Sequence, residues 1–131
     1  MKLHHIGIAV GSLAEARSAF EKLLGKPPDS EEVVEDQKVR VAMFQVGESR
    51  LELLEATSED SPLARSLAKR GPGLHHVALA VEDLAGALRQ LEAAGFRLID
   101  REPRCGAGKE RVAFLHPAGT AGVLVELVEE K

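Results

Sequence analysis

Four of the five histidines in this 131-residue chain stand as adjacent pairs, His4-His5 and His75-His76, each preceded by leucine. Imidazole exchanges protons near neutral pH and is the commonest metal ligand, so histidines repeated at matched positions ask for a chemical explanation. Both pairs open alternating apolar segments, LHHIGIAV and LHHVALAV. Side chains alternate between the two faces of a strand. His4, Ile6, Ile8 and Val10 therefore share one face, and His5, Gly7 and Ala9 the other. His75, Val77, Leu79 and Val81 oppose His76, Ala78 and Ala80 in the same way. The bulky faces should pack on helices. The other faces carry a histidine followed only by very small residues, which is expected to leave ligand space beside His5 and His76. His4 and His75 are then structural residues, turned to a helix or to solvent.

Two carboxylates complete the pattern. Glu52 lies between Leu51 and Leu53, and Glu126 interrupts the apolar run Gly122-Val123-Leu124-Val125-Glu126-Leu127-Val128. A carboxylate in such a run is costly to bury unless a cation or metal pairs with it. The spacings agree: Glu52 follows His5 by 47 residues and Glu126 follows His76 by 50. Each half of the chain thus offers one histidine from its first strand and one glutamate from its last. His5, Glu52, His76 and Glu126 form a donor set that suits Zn, Co, Ni, Mn or Fe(II).

The elements that must position these groups repeat as well. Residues 3–24 and 74–95 are identical at nine of 22 positions, including both Leu-His-His starts, which is more than an Ala/Leu-rich chain gives by chance. Each copy predicts a strand (about 3–10 and 74–81) and then a helix capped by Ser12 or Asp83, with Gly25 or Gly95 at its C-terminal end. Three further strands follow in each copy. They fall at about 31–35, 38–46 and 49–56, and at about 96–102, 110–116 and 121–128. Gly47-Glu48 and Pro117-Ala118-Gly119 mark hairpin turns. Ser61-Pro62 opens a linker helix over about 61–70, ended by Gly71-Pro72-Gly73. The expectation is one α+β domain over 1–131, built of βαβββ modules 1–56 and 73–131.

Composition narrows the function classes. With 44% apolar and 29% charged residues the chain reads as a folded globular domain. A net charge of −4 without strong clustering, and four Phe with no Tyr or Trp, argue against a nucleic-acid surface. No apolar run reaches membrane-spanning length, and the start reads as a strand rather than a signal peptide. A single cysteine, Cys105, makes a cytoplasmic location the default and carries no catalytic motif. The loop Arg104-Cys105-Gly106-Ala107-Gly108-Lys109 reads equally as an anion cradle or a plain hairpin turn. Lys69, Arg70, Arg104, Lys109 and Arg111 are candidates for anion contacts. His116 is expected to support the site from behind, and Glu129-Glu130-Lys131 to be a solvated tail.

The segments HHIGIAV (4–10), RLELLE (50–55), DSPLARSL (60–67), GLHHVALAV (73–81), VAFLHP (112–117) and GVLVELVE (122–129) resemble the vicinal oxygen chelate superfamily, and within it the methylmalonyl-CoA epimerase family. The resemblance covers essentially the whole chain. It implies two βαβββ modules forming a curved sheet around one divalent metal ion (Co, Zn, Ni or Mn), with ligands falling on His5, Glu52, His76 and Glu126. It implies an isomerase of propionate metabolism that interconverts (2R)- and (2S)-methylmalonyl-CoA by removing and returning the C2 proton. An acyl-CoA substrate, a homodimer, and no nucleic-acid or membrane partner go with it. A catalytic acid in one member of the family lies in the strand here spanning 38–46, where this chain has Val39, Arg40 and Val41. The resemblance therefore assigns no separate second base; Glu52 and Glu126, from matched positions of the two modules, are the expected proton-transfer groups, with a water as relay. The alternatives are a glyoxalase I-type lactoylglutathione lyase, which shares the ligand set, and a metal-free small-molecule-binding protein of the same fold. A dioxygenase fits less well, because it wants a three-residue set with open positions.

Overall fold

The computed structural model describes residues 1–130. Among them are three α-helices and eight strands, an α+β composition. The chain forms two compact units, one of Ile6–His75 and one of Met1–His5 with the chain from His76 onward.

In the Ile6–His75 unit the end of β1 (Lys2–Ala9) leads into α1 (Leu13–Leu24), β2 (Ser30–Val34), β3 (Val39–Val46), β4 (Ser49–Ala56) and α2 (Pro62–Arg70). Strands β2, β3 and β4 form an antiparallel ladder in which Met43 faces Glu52 and Val41 faces Leu54. The turn between β3 and β4 needs Gly47, whose φ of 61° is the left-handed region. Helix α1 begins where the Ser12 hydroxyl accepts the Glu15 N–H and ends at Gly25, φ 73°. Its apolar stripe of Leu13, Ala16, Phe20 and Leu24 packs on Ile8, Val10, Ala42, Phe44 and Leu53. Ile8, on the bulky face of β1, and Val10 just beyond its end point the way the alternation predicts. Ser61 caps α2, with Pro62 at its first position and Leu63 buried.

The other unit contains β5 (Gly73–Val81, from His76), α3 (Leu84–Ala93), β6 (Arg104–Cys105), β7 (Arg111–Leu115) and β8 (Val125–Glu129). Strand β8 runs parallel to β5 and antiparallel to β7, which pairs with β6. Asp83 caps α3 by accepting the Gly86 N–H. On one face of the sheet Leu79, Val81, Ala113, Leu115, Val125 and Leu127 pack on Leu84 and Leu88 of α3. On the other, Ala78 packs with Val112 and Val128.

One device occurs in both units. The Leu13 N–H donates to Glu55 at 3.0 Å and the Leu84 N–H to Glu129 at 3.1 Å, so the last strand of each copy holds the first turn of its own helix. A carboxylate there also meets the positive end of the helix dipole.

The structure departs from the sequence reading in three places. The strand expected at about 96–102 is only a bridge between Leu98 and Leu115, and the short strand falls at Arg104–Cys105 instead. Backbone bonds from His116 N–H to the Arg97 carbonyl and from Ile99 N–H to the Phe114 carbonyl still tie the segment to β7, but the Phe114 N–H goes to the Asp100 carboxylate at 2.9 Å, which breaks the ladder there. The strand expected at about 121–128 starts at Val125, because Ala121 (φ 57°) and Gly122 (φ 86°) are left-handed. Glu129 is no part of a solvated tail. Its side chain is 9% exposed, pairs with Arg111 at 3.0 Å and caps α3; Lys131 lies outside the described residues. No helix is long and apolar enough to cross a membrane.

Replacing Glu55 or Glu129 by alanine should each lower the unfolding free energy by about 1 kcal/mol, the usual worth of a lost cap. Urea titration measures this, and unchanged midpoints in both variants would contradict the capping roles.

Candidate metal centre

His5 ends the part of β1 that belongs to the second unit, His76 opens β5 there, and Glu126 lies on β8. The parallel register sets Ala78 opposite Glu126, so His76, one pleat earlier on β5, shares a sheet face with Glu126. The His5 and His76 Nε2 atoms are 3.1 Å apart, and each is 3.0 Å from Glu126 Oε1. All three residues are buried, at 3%, 7% and 5% exposure.

A carboxylate only accepts hydrogen bonds, and each imidazole nitrogen either donates one proton or presents one lone pair. Two Nε2–H groups donating to the one Glu126 oxygen would satisfy all three atoms, but would crowd their protons together across the 3.1 Å between the nitrogens. A cation facing all three satisfies them together. Neighbouring ligands bound at about 2.1 Å and near right angles stand about 3.0 Å apart, the spacing found here. The donor set and its geometry therefore fit a divalent metal ion held by His5, His76 and Glu126. Burial pushes the Glu126 carboxyl upward, but hydrogen bonds and charge from His5 and His76 outweigh it and hold the group down at about 2.

Glu52 belongs to the other unit. It is buried at 4% exposure on β4, opposite Met43 and on the reverse face from Leu53.

Two residues near the triad, Phe114 and Glu110, were not picked out from the sequence, while Arg104 was read there as a candidate anion contact. Phe114 faces Glu126 across the β7–β8 ladder and sets its ring edge-on to His76, with centroids 5.8 Å apart. The alternation of Val112 and Phe114 against Ala113 and Leu115 carried that signal. The Arg104 guanidinium lies 5.4 Å over the Phe114 ring, with Nε 3.5 Å from Asp100. Glu110 bonds His4, and nothing local in the sequence marks that pair. His4 turns neither to a helix nor to solvent: it is 3% exposed, with its ring nitrogens on His5 and Glu110. Ala78 packs with Val112 and Val128, which project from neighbouring strands onto the same face. His116 accepts the Ala118 N–H and so caps a turn. Cys105 is free and exposed.

The fold and the triad together define the class. The family model for the glyoxalase/bleomycin resistance protein/dioxygenase superfamily matches residues 4–114, and the chain belongs to that superfamily. Within it, the chain is 48% identical over 130 residues to the uncharacterized protein YqjC of Bacillus subtilis, covering 99% of this chain and 93% of that protein. It is 36% identical to the ethylmalonyl-CoA/methylmalonyl-CoA epimerase of Cereibacter sphaeroides, with 96% of both chains covered. A single-residue variant of the Streptomyces coelicolor methylmalonyl-CoA epimerase, solved with 2-nitronate-propionyl-CoA, superposes with a TM-score of 0.95 at 38% identity, covering 99% of this chain and 94% of that one. The expected glyoxalase-type α+β fold is thereby borne out.

Purified protein should carry a divalent metal in stoichiometric amount, and the His5→Ala, His76→Ala double variant should lose it. Elemental analysis by plasma mass spectrometry reads both. Equal metal content in the two proteins would contradict the assignment.

Proposed function

We propose that the protein is a divalent-metal-dependent methylmalonyl-CoA epimerase, with His5, Glu52, His76 and Glu126 as the ligand set. The observation that carries this is the buried His5–His76–Glu126 triad in a chain so similar to epimerases over nearly its whole length. Modules 1–56 and 73–131 acting as one domain, a homodimer, a cytoplasmic location and a place in propionate metabolism belong to the same reading.

The substrate's C2 proton lies between a thioester and a carboxylate, so its removal leaves an enolate. A divalent cation, when bound, supplies Lewis acidity that stabilises that negative charge. The protein's own carboxylates do the rest. Inversion needs a proton taken from one face of C2 and returned to the other. Glu52 and Glu126 come from equivalent strands of the two copies and are assigned these roles, each alternating between base and acid. A carboxylate that would also ligate a cation is a weak base, so a water relays its proton. Val41, buried in β3, offers no third carboxylate. Phe114 closes one side of the site with an apolar ring. Arg104, stacked over that ring, is the basic residue best placed to meet an anionic group of the substrate.

Turnover of a single methylmalonyl-CoA epimer, coupled to an enzyme specific for the other, tests the proposal. The hemithioacetal of methylglyoxal and glutathione serves as control. Turnover of the CoA ester and not of the hemithioacetal is expected; the reverse would make the protein a lactoylglutathione lyase. Glu52→Gln and Glu126→Gln should each lower kcat by about 100-fold or more, the usual worth of a general acid–base group. A variant of either retaining native kcat would remove that residue from proton transfer.

A further inference from the structure

Behind the triad lies a second pair of polar groups for which the proposed reaction has no use. His4 is buried, with its Nδ1 2.7 Å from His5 Nδ1 and its Nε2 3.0 Å from Glu110 Oε2. Glu130 Oε2 lies further from the same nitrogen, at 3.8 Å. The directions of these bonds follow from chemistry. A carboxylate accepts, so His4 Nε2 carries the proton that meets Glu110. A neutral imidazole has one N–H, which leaves a lone pair on His4 Nδ1. With His4 neutral, His5 Nδ1–H donates to it. The proton on His5 is thereby assigned to Nδ1, and the lone pair to Nε2. That is the atom 3.1 Å from His76 Nε2 and 3.0 Å from Glu126 Oε1. The other tautomer would point a proton at the position a cation must take. A histidine ligand is generally oriented by the partner of its second nitrogen.

We propose that His4 and Glu110 are positioning residues: the chain Glu110–His4–His5 fixes the tautomer and ring orientation of His5 so that Nε2 presents its lone pair to a metal ion. The inference rests on the metal-centre reading of the same site. It assigns a role to the first member of the Leu-His-His pair, which a two-ligand description leaves unexplained. It also makes Glu110, which follows His4 by 106 residues, part of the metal centre's design.

The test uses the full chain and three variants. Glu110→Ala removes the acceptor for His4 at a side chain already 23% exposed, so the fold should survive it. His4→Phe keeps a ring of similar size and removes the acceptor for His5. Glu110→Gln is the rescue control, because its amide oxygen still accepts the His4 Nε2–H. Two readouts are taken. Long-range proton–nitrogen NMR of the metal-free protein reports which His5 nitrogen bears the proton. Competition with a chromophoric chelator gives the Co(II) affinity. In the native protein and in Glu110→Gln, His5 should be protonated on Nδ1. In Glu110→Ala and His4→Phe it should shift toward the Nε2–H form, and Co(II) affinity should fall by about 10–100-fold, the usual cost of losing such a partner. The proposal is overturned if native His5 carries its proton on Nε2, or if a folded Glu110→Ala keeps both the native tautomer and the native affinity. A native protein that takes up no Co(II) would defeat the metal-centre reading instead. The tautomer measurement, made without metal, would still decide whether His4 governs His5.

Discussion

The structure depends on one unusual arrangement: three buried electron-pair donors, His5 Nε2, His76 Nε2 and Glu126 Oε1, held within 3.1 Å of one another. Without a cation such a cluster crowds two imidazoles onto one carboxylate oxygen out of water, and burial of a carboxylate adds to the cost. The rest of the fold can be understood as what holds that cluster together. Each ligand sits on a strand, where backbone pairing leaves the side chain little freedom, and the parallel β5–β8 register brings His76 and Glu126 onto one face. A site built on strands keeps the sub-ångström placement that metal ligation demands.

The strands in turn are held by their opposite faces. In each unit one helix packs its apolar stripe on one face of the ladder, and the buried glutamate, Glu52 or Glu126, lies on the other. The two functions are thus separated by the pleat, and one sequence can satisfy both at alternate positions. Glu55 and Glu129 tie the two layers together by capping α1 and α3 from the strands that carry Glu52 and Glu126. In each case the capping glutamate follows the site glutamate by three residues, on the opposite face, so a shift in strand register would disturb both.

Much of this was legible in the sequence because it is periodic. The alternation of His5, Gly7 and Ala9 against Ile6, Ile8 and Val10 picked the face of β1. The isolation of Glu126 in an apolar run marked it as a paired carboxylate, and the repeat at Leu-His-His matched the two halves. What was missed is not periodic. The Asp100 carboxylate takes the Phe114 N–H that a longer ladder would have used, and no pattern distinguishes such a carboxylate from a surface one. The His4–Glu110 contact joins residues far apart in the chain, one of them just after a short 3₁₀ turn, so the bulky-face rule turned His4 toward a helix. Glu129 looked like a charged terminus because its partners, Leu84 N–H and Arg111, are distant in sequence.

The central claim is that the buried triad holds a cation that makes a carbon acid of the substrate exchangeable. The most direct measurement follows the C2 proton of methylmalonyl-CoA by NMR in heavy water. The protein is compared stripped of metal by a chelator and again after Co(II) is restored. Loss of the C2 proton signal is expected with the restored protein and not with the stripped one. Equal exchange with and without metal would contradict the metal's role, and racemisation without deuterium uptake would contradict proton transfer through protein carboxylates that exchange their proton with water.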